Sequence, residues 1–275
     1  MRTLNKLAAV FCFCGLLLLS GCKSGSGLTV VFPKLGSADG AVLMTKDSTV
    51  VIDTGEKNDG DELLGLLEYY DRDTVDLLII SHYDKDHVGG AAELLEACNV
   101  KRVIGSTAPK DSKEMNAYRK ALQHAGLTEE VPTAALSVPL GDLRLVIDLP
   151  RQNTYAQDQS NNSSTVVSVT YLDTRLLFTG DSMDLRIREF APELQENTYD
   201  LIKIPHHGRD TSTAALLLPA LKPGAAAVIT SSEKEPESQA LLDLLADSGI
   251  KTYLTRQGAV VVTSDGKTIK LNQEP

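Results

Sequence analysis

One short segment of the chain combines the residue types that bind metals. His82, Asp84, Asp86 and His87 fall within six residues, directly after the apolar run 77–80. Imidazole and carboxylate groups are ligands of divalent ions, and carboxylates packed this closely repel one another unless a cation holds them. The spacing therefore predicts a metal site. The alternative is a solvated polar loop whose aspartates cap a helix.

The apolar run before this segment is typical of a strand that is covered on both faces. If the chain leaves that strand in an extended conformation, His82, Asp84 and Asp86 project to the same side, and His87 follows where the chain turns. This arrangement would let two ions share the segment.

Four further segments place polar residues beside apolar strands. They are the Asp53 segment 52–55, the stretch Asn161–Ser164, the Asp181 segment 178–181 and the His206-His207 segment 204–208. Strand ends that meet at one edge of a sheet are where α/β proteins keep their sites. Taken singly, the aspartates are typical turn residues, and the histidine pair is equally typical of a loop. All five segments together predict one site.

The elements that must position these residues alternate between strand and helix patterns. Apolar runs and alternation predict strands at 28–32, 41–44, 49–52, 77–80, 143–149, 165–171, 175–179, 200–204, 226–229 and 252–254, with a closing hairpin of 259–263 and 268–271. Helical spacing predicts helices at 61–70, 89–97, 112–125, 184–194, 213–221 and 237–248, and 151–163 is a polar loop. The pattern predicts one mixed α/β domain over residues 28–275.

The composition limits the classes of function. The chain has 275 residues and a formal net charge of −10, which argues against a nucleic-acid binder that relies on a broadly basic surface. A local basic groove or bound metal ions stay open. Trp is absent and aromatic residues make up only 5%, so an extended stacking platform for bases is not expected.

The N-terminus predicts a targeting segment. Arg2 and Lys6 precede the apolar run 7–19, which is too short to span a bilayer comfortably. Leu19-Ser20-Gly21-Cys22 is similar to a bacterial lipobox, so we expect residues 1–21 to be a lipoprotein signal peptide, Cys22 to be lipidated and residues 22–27 to form a flexible tether. The protein would then be anchored on the outer face of a bacterial membrane. An ordinary signal peptide, or a membrane anchor with an incidental Cys22, is the alternative.

The motifs, in the order D-T-G, S-H-x-D-x-D-H-x-G-G, N-N-x-S, T-G-D and P-H-H-G, resemble the metallo-β-lactamase fold in its ComEC-like branch. That branch contains the hydrolase domain of competence DNA-uptake proteins and stand-alone relatives. The resemblance covers residues 28–272. It implies an α/β fold of the αββα type, a four-layer sandwich with two facing sheets, helices outside and a dinuclear site on one edge.

The same resemblance implies a set of metal ligands. They are His82 and Asp84 at one ion, Asp86 and His87 at the second, Asp181 between the two ions and His206 completing the set. Asp84 replaces a histidine of the commoner branch, and Asn161–Ser164 replaces the histidine of the third motif. Oxygen donors make a site harder, so two Mn²⁺ ions compete with two Zn²⁺ ions as the cofactor.

Further residues take supporting roles on this interpretation. Asp86 is the natural acceptor for a proton of the attacking water, and Lys203 or Arg209 could contact a phosphate, although both also fit solvated surface cations. Candidates for orienting ligands or lining the substrate site are Asp53, Asn162, Ser164, His207 and Ser231, with His207 also an alternative ligand.

The expected function is metal-assisted hydrolysis of a phosphodiester, with single-stranded DNA implied by the resemblance and a separate membrane channel as a partner. The chain departs from the family pattern at two positions, with Arg209 after H-H-G where relatives have Ser and Glu235 before Pro236 where they have His. The glutamate adds negative charge near the expected phosphate, which argues against DNA as the substrate but leaves hydrolysis open. Loss of residues 1–21 would also change the net charge from −10 to −12 by removing Arg2 and Lys6.

The alternatives to this function are a cell-envelope or small-molecule ester hydrolase, for choline- or teichoic-acid-type esters, and a non-catalytic binding protein. We expect a monomer.

Overall fold

The computed structural model describes residues 27–209 and 213–274. The predicted signal peptide 1–21, the lipidation site Cys22 and all of the tether except Gly27 lie outside the described residues. Within the described ranges, no helix is long and apolar enough to cross a bilayer.

Strands account for most of the regular structure. They are β1 Leu28–Phe32, β2 Gly40–Met44, β3 Thr49–Thr54, β4 Thr74–Val75, β5 Leu77–Ile79, β6 Asn99–Val100, β7 Val103–Ile104, β8 Leu136–Leu140, β9 Leu143–Asp148, β10 Val166–Tyr171, β11 Thr174–Phe178, β12 Tyr199–Lys203, β13 Leu221–Ile229, β14 Lys251–Leu254, β15 Ala259–Ser264 and β16 Ile269–Glu274.

Helices connect these strands. The α-helices are α1 Asp59–Tyr69, α2 Lys85–Val88, α3 Ala91–Ala97, α4 Lys113–Ala125, α5 Gln159–Asn162, α6 Asp184–Phe190 and α7 Gln239–Asp247. Short 3₁₀ segments lie at Ala191–Glu193, Pro205–Gly208, Ala214–Ala220 and Thr255–Gln257.

Two large sheets face each other. The first has the strand order β16-β15-β1-β2-β3-β5-β7 and the second β14-β13-β12-β11-β10-β9-β8. Neighbouring strands are parallel from β3 through β5 to β7 and from β11 through β12 and β13 to β14, and antiparallel elsewhere in both sheets.

Alternation along the strands divides the apolar residues between layers. Val30 and Leu43 of the first sheet belong to one buried cluster with Val169 and Leu176 of the second, which fills the space between the sheets. The outer faces form separate clusters with α1, α3 and α4 on one side and with α6 and α7 on the other. The predicted αββα four-layer sandwich is therefore confirmed.

The structure corrects three local predictions. The helix predicted at 213–221 is a 3₁₀ segment, because Pro219 lacks the N–H that an α-helix interior needs. The strand predicted at 226–229 begins earlier, at Leu221. The helix predicted at 89–97 is preceded by the separate turn α2, which begins inside the metal-binding motif.

One edge of the sandwich collects the ends of the central strands. β3 and β5 are parallel, so Asp53 and Ser81 lie near each other where these strands end. β11 and β12 are likewise parallel in the facing sheet and end at Phe178 and Lys203. The rings of Phe32 and Phe178 stack across the two sheets at 5.7 Å between centroids, and they close the core beside this edge.

Candidate metal centre

The histidine–aspartate segment turns earlier than the sequence predicts, because α2 begins at Lys85 and so includes Asp86 as well as His87. Asp84 is extended and lies directly before α2, and its carbonyl accepts hydrogen bonds from the N–H groups of His87 and Val88. Gly90 then lies against the facing loop so closely that a Cβ there would be 2.4 Å from the Thr54 carbonyl oxygen. Only glycine fits this approach, which holds the segment against the end of β3.

Three histidines and one aspartate converge at this edge. His82, His87 and His207 are each at most 1% exposed, and their Nε2 atoms are buried. Asp181 Oδ1 lies 3.3 Å from His87 Nε2, and Oδ2 lies 3.1 Å from His207 Nε2. In the described part of the chain, none of the three Nε2 atoms, nor Asp181 Oδ1, has a hydrogen-bond partner.

The opposite ring nitrogens are held in place. His87 Nδ1 donates to Asp53 Oδ2 at 2.9 Å, and His207 Nδ1 donates to the Thr230 carbonyl oxygen at 3.0 Å. A proton on Nδ1 leaves Nε2 with its lone pair, which is the form of imidazole that binds a metal. The Asp53 contact is the one that the predicted orienting role requires.

Each end of the cluster pairs one carboxylate with one histidine. Asp84 Oδ2 lies 3.8 Å from His82 Nε2, and Asp86 Oδ2 lies 3.4 Å from His207 Nε2. Asp181 contacts His207 at one end, and it also contacts His87, whose ring centroid lies 4.0 Å from that of His82 at the other end. Buried nitrogens without partners and facing carboxylate oxygens form a donor set that fits divalent metal.

The histidine pair separates into two environments. Both residues have positive φ angles, 47° for His206 and 52° for His207, a conformation that is strained in non-glycine residues. The backbone thereby directs His207 into the cluster, while His206 stays half-buried with its Nδ1 lacking a hydrogen-bond partner among the described residues. The geometry favours His207 over His206 as the ligand, and a role for His206 stays a prediction.

Sequence reasoning missed Asp39. One ligand atom from each of Asp39, His87, Asp181 and His207 lies within 4.8 Å of the others. Asp39 precedes β2, whereas most of the predicted site residues follow a strand. β2 runs antiparallel to β3, with Gly40 opposite Thr54, so the start of β2 lies at the same edge. The available signal was an acidic residue directly before an apolar strand, in a stretch bounded by Gly36 and Gly40.

Lys203 lies behind the cluster and not at its mouth. The residue is 3% exposed, its Nζ contacts Asp39 Oδ2 and donates to the Gly180 carbonyl oxygen, and Asp181 Oδ1 is 3.6 Å away. This position corrects the expectation that Lys203 contacts substrate phosphate, because the ammonium group is enclosed by the carboxylates that it holds.

The carboxylates of the cluster favour positive charge on the groups around them. Burial lowers the pKa values of His87 and His207, but the carboxylates, Asp181 foremost, outweigh burial and raise both well above the ordinary value. The pKa of His82 is lowered to about 4 by burial and by the neighbouring His87. Burial raises the pKa of Asp86, but the adjacent His207 imidazole and the charge of His87 bring it down to about 2. Divalent ions would supply the charge that the histidines otherwise take up as protons.

A family model described as the metallo-β-lactamase superfamily matches residues 40–232. The chain belongs to this superfamily. With the Asp and His cluster described above, membership identifies it as a metal-dependent hydrolase.

Two curated relatives indicate the branch of the superfamily to which this chain is similar. ComE operon protein 3 of Bacillus subtilis is 28% identical over 193 residues, which are 68% of this chain and 24% of that protein. Recombination protein 2 of Haemophilus influenzae is 30% identical over 202 residues, 71% of this chain and 23% of that protein. The chain spans about a quarter of the length of these relatives. The similarity to ComE operon protein 3 confirms the resemblance to the ComEC-like branch.

Solved structures confirm the metallo-β-lactamase fold. YhfI, a metallo-β-lactamase fold protein from Bacillus subtilis, aligns with a TM-score of 0.59 at 14% identity, over 86% of this chain and 100% of that one. A mutant of CmlA β-hydroxylase aligns with a TM-score of 0.55 at 14% identity, over 91% of this chain and 54% of that one.

The stretch Asn161–Ser164 supports the centre from one side. Ser164 Oγ accepts a hydrogen bond from the Asp181 N–H at 3.1 Å and lies 3.5 Å from His82 Nδ1. Asn162 Oδ1 accepts from the Arg186 N–H and so fastens α6. Ser164 therefore contacts two residues of the centre, and Asn162 acts on the helix behind it.

Two predicted residues lie elsewhere. Arg209 is at the surface and forms an ion pair with Glu235, so the added glutamate that the sequence places near the site neutralises this arginine. Ser231 is 0% exposed and donates to Glu237 Oε2 at 2.7 Å. Its burial corrects the expectation that Ser231 lines the substrate site.

Proposed function

We propose that this superfamily member is a metal-dependent phosphodiesterase that holds two divalent ions, Zn²⁺ or Mn²⁺, and cleaves nucleic acid, single-stranded DNA first. The observation that carries the proposal is the convergence of the buried His87 and His207 Nε2 atoms on Asp181, beside the buried His82 Nε2, with Asp84 facing His82 and Asp86 facing His207. Two ends of the same composition, joined by a central carboxylate, suit a pair of ions better than one.

The ions, when bound, would lower the pKa of a coordinated water and polarise the phosphoryl oxygen under attack. Asp86 is the residue we assign to accept the proton of the attacking water, because its carboxylate is 22% exposed whereas that of Asp181 is 5% exposed. Asp53 holds the ring of His87, and Lys203 holds the carboxylates of Asp39 and Asp181.

The substrate class rests on the ComEC-like resemblance and on the similarity to ComE operon protein 3 and Recombination protein 2. The net charge of −10 argues against a polynucleotide substrate, since binding to a polynucleotide depends on neutralising several phosphates. A small phosphodiester of the cell envelope is therefore the second candidate, on the same catalytic centre.

We also propose that the protein is anchored through lipidated Cys22 on the outer face of a bacterial membrane and works beside a separate membrane channel. The sequence of residues 1–22 supports this location. Replacing Cys22 by Ser should release the protein from the membrane fraction and abolish incorporation of labelled fatty acid; unchanged membrane association would contradict the lipid anchor.

The test of activity uses the purified chain, stripped by a chelator and reloaded with Mn²⁺ or Zn²⁺. End-labelled single-stranded DNA and bis(p-nitrophenyl) phosphate are compared with p-nitrophenylphosphorylcholine. A variant combining His82→Ala and Asp86→Ala should lose all metal-dependent cleavage. His124→Ala is the matched control, since His124 is exposed on α4 and outside the cluster.

Cleavage of DNA that disappears in the double variant would establish the nuclease. Turnover of the choline ester alone would move the substrate to the cell envelope. Metal bound at two ions per chain with no turnover of any ester would contradict the enzymatic proposal and leave a binding protein.

A further inference from the structure

Asp84 presents its two oxygens to different surroundings. Oδ2 faces His82 Nε2 inside the cluster, at 3.8 Å. Oδ1 points outward, where Lys110 Nζ lies 2.6 Å away and Ser160 Oγ donates to the same oxygen. The Lys110 side chain is 45% exposed, so its ammonium group lies between this carboxylate and solvent.

Lys110 differs from the other cations near the centre. Among the described residues, it is the only exposed Lys or Arg whose nitrogen comes within 4 Å of Asp39, Asp53, Asp84, Asp86 or Asp181. Arg209 is neutralised by Glu235, and Lys85 by Glu56. The one carboxylate paired with Lys110 is itself a candidate ligand, and its charge would be taken up by a divalent ion. Lys110 then keeps an uncompensated positive charge beside the centre.

The loop that carries Lys110 is fastened to the site. It follows β7, which is parallel to β5 and ends at the same edge. Ser106 Oγ donates to the Ser163 carbonyl oxygen at 2.7 Å, and the Tyr83 hydroxyl exchanges hydrogen bonds with the backbone of Ser106 at 3.0 and 3.1 Å. The loop is thus tied both to the histidine–aspartate segment and to the stretch Asn161–Ser164.

We infer that Lys110 binds the anionic phosphate of the substrate beside Asp84, the role that the sequence assigned to Lys203. The inference rests on the proposed phosphodiesterase function and names the residue that recognises the charge of that substrate. A lysine ammonium suits this task, because it supplies several donors and a point charge to a phosphoryl oxygen without a fixed geometry.

The test compares the purified, Mn²⁺-loaded chain with its Lys110→Met and Lys110→Arg variants. Lys113→Met is the matched control: Lys113 is exposed at the first residue of α4, three positions along the chain. Three quantities are measured, namely the dissociation constant of inorganic phosphate, the KM and kcat for bis(p-nitrophenyl) phosphate, and the dissociation constant of Mn²⁺. Lys110→Met should weaken phosphate binding and raise KM by about ten-fold or more, as expected for a lost charge-assisted hydrogen bond. Lys110→Arg should restore most of the phosphate affinity and bring KM back near the wild-type value. Lys113→Met should match the wild type in both quantities.

The outcomes separate the alternatives. Equal phosphate binding in Lys110→Met and wild type would overturn the inference. Phosphate binding that weakens only in proportion to Mn²⁺ affinity would also overturn it, because Lys110 would then act by positioning Asp84. If the wild type hydrolyses no phosphodiester, the proposed function fails, but weaker binding of inorganic phosphate by the Lys110→Met variant would still support the cation site.

Discussion

The aspartates at the two opposite edges of the sandwich differ in how many cations pair with them. Where the parallel strands begin, each aspartate has a lysine of its own: Asp76 pairs with Lys101 at 2.8 Å, and Asp200 pairs with Lys222 at 2.9 Å. Where the strands end, Asp39, Asp53, Asp84, Asp86 and Asp181 share two lysines, one of them buried.

The difference shows which edge is built for a ligand. Partly exposed ion pairs with matched charges need nothing further and contribute little to stability. Buried carboxylates in excess of their cations are unfavourable in the free protein, so an edge that keeps them is organised around positive charge from outside. Within residues 27–209 and 213–274, the Asp and His side chains close enough to share a metal ion collect at the edge where the parallel strands end.

The largest expected effect comes from the central carboxylate. Asp181→Asn should lower kcat/KM for the phosphodiester by about 10³-fold or more, because the loss of metal polarisation removes several kcal/mol of transition-state stabilisation. Asp200→Asn makes the same chemical change at the opposite edge and should leave kcat/KM unchanged. Steady-state kinetics and metal analysis of the two variants check these expectations. Similar losses of kcat/KM in both would show that the two edges do not differ in their role in catalysis.

A second prediction concerns the two lysines. Lys203→Met in the metal-free protein should lower the free energy of unfolding by about 3–5 kcal/mol, because it leaves buried carboxylates without their cation. Lys222→Met removes a cation from a partly exposed pair and should cost less than about 1 kcal/mol. Urea denaturation of the two variants measures the difference, and equal costs would show that Lys203 does not act as an internal counter-ion.

The gain in stability on metal addition should depend on the residues of one edge only. At a free Mn²⁺ concentration 100 times the dissociation constant, the native state should gain about 2.7 kcal/mol. Asp76→Asn should keep this gain, while His207→Ala should lose most of it. Thermal unfolding with and without Mn²⁺ provides the measurement, and a full gain in His207→Ala would remove His207 from the ligand set.

The smallest expected effect lies one contact away from the metal. Asp53→Asn removes the carboxylate that holds His87 Nδ1, and metal affinity should fall by about ten- to a hundred-fold while the fold is kept. Competition with a fluorescent chelator measures the affinity. An unchanged dissociation constant would mean that the His87 ring is oriented by packing alone.

Much of the centre is predictable from the sequence because its motifs are local. The histidine–aspartate segment, Asp53 and Asp181 each follow an apolar strand, and parallel strands bring such ends together. The four-layer fold follows from the same alternation of strand and helix patterns, supported by the resemblance to a known family.

The remaining features depend on tertiary structure. Asp39 reaches the site only because β2 is antiparallel to β3, a pairing that no local pattern specifies. Lys203 and Lys110 are the same residue type, and only the packed structure shows that one is buried and the other exposed. The choice between His206 and His207 likewise depends on two backbone angles that the letters P-H-H-G do not reveal.

The centre draws its side chains from both sheets, with Asp39, Asp53 and His87 on one side and Asp181, Lys203 and His207 on the other. Bound metal would therefore link the two halves of the sandwich at this edge, much as a disulfide links two segments. Opening either half would separate the ligands, so in the metal-bound protein the two halves should open together and release the metal as they do. Amide hydrogen exchange in β3 and β12 should slow together when metal binds, although these strands belong to different sheets.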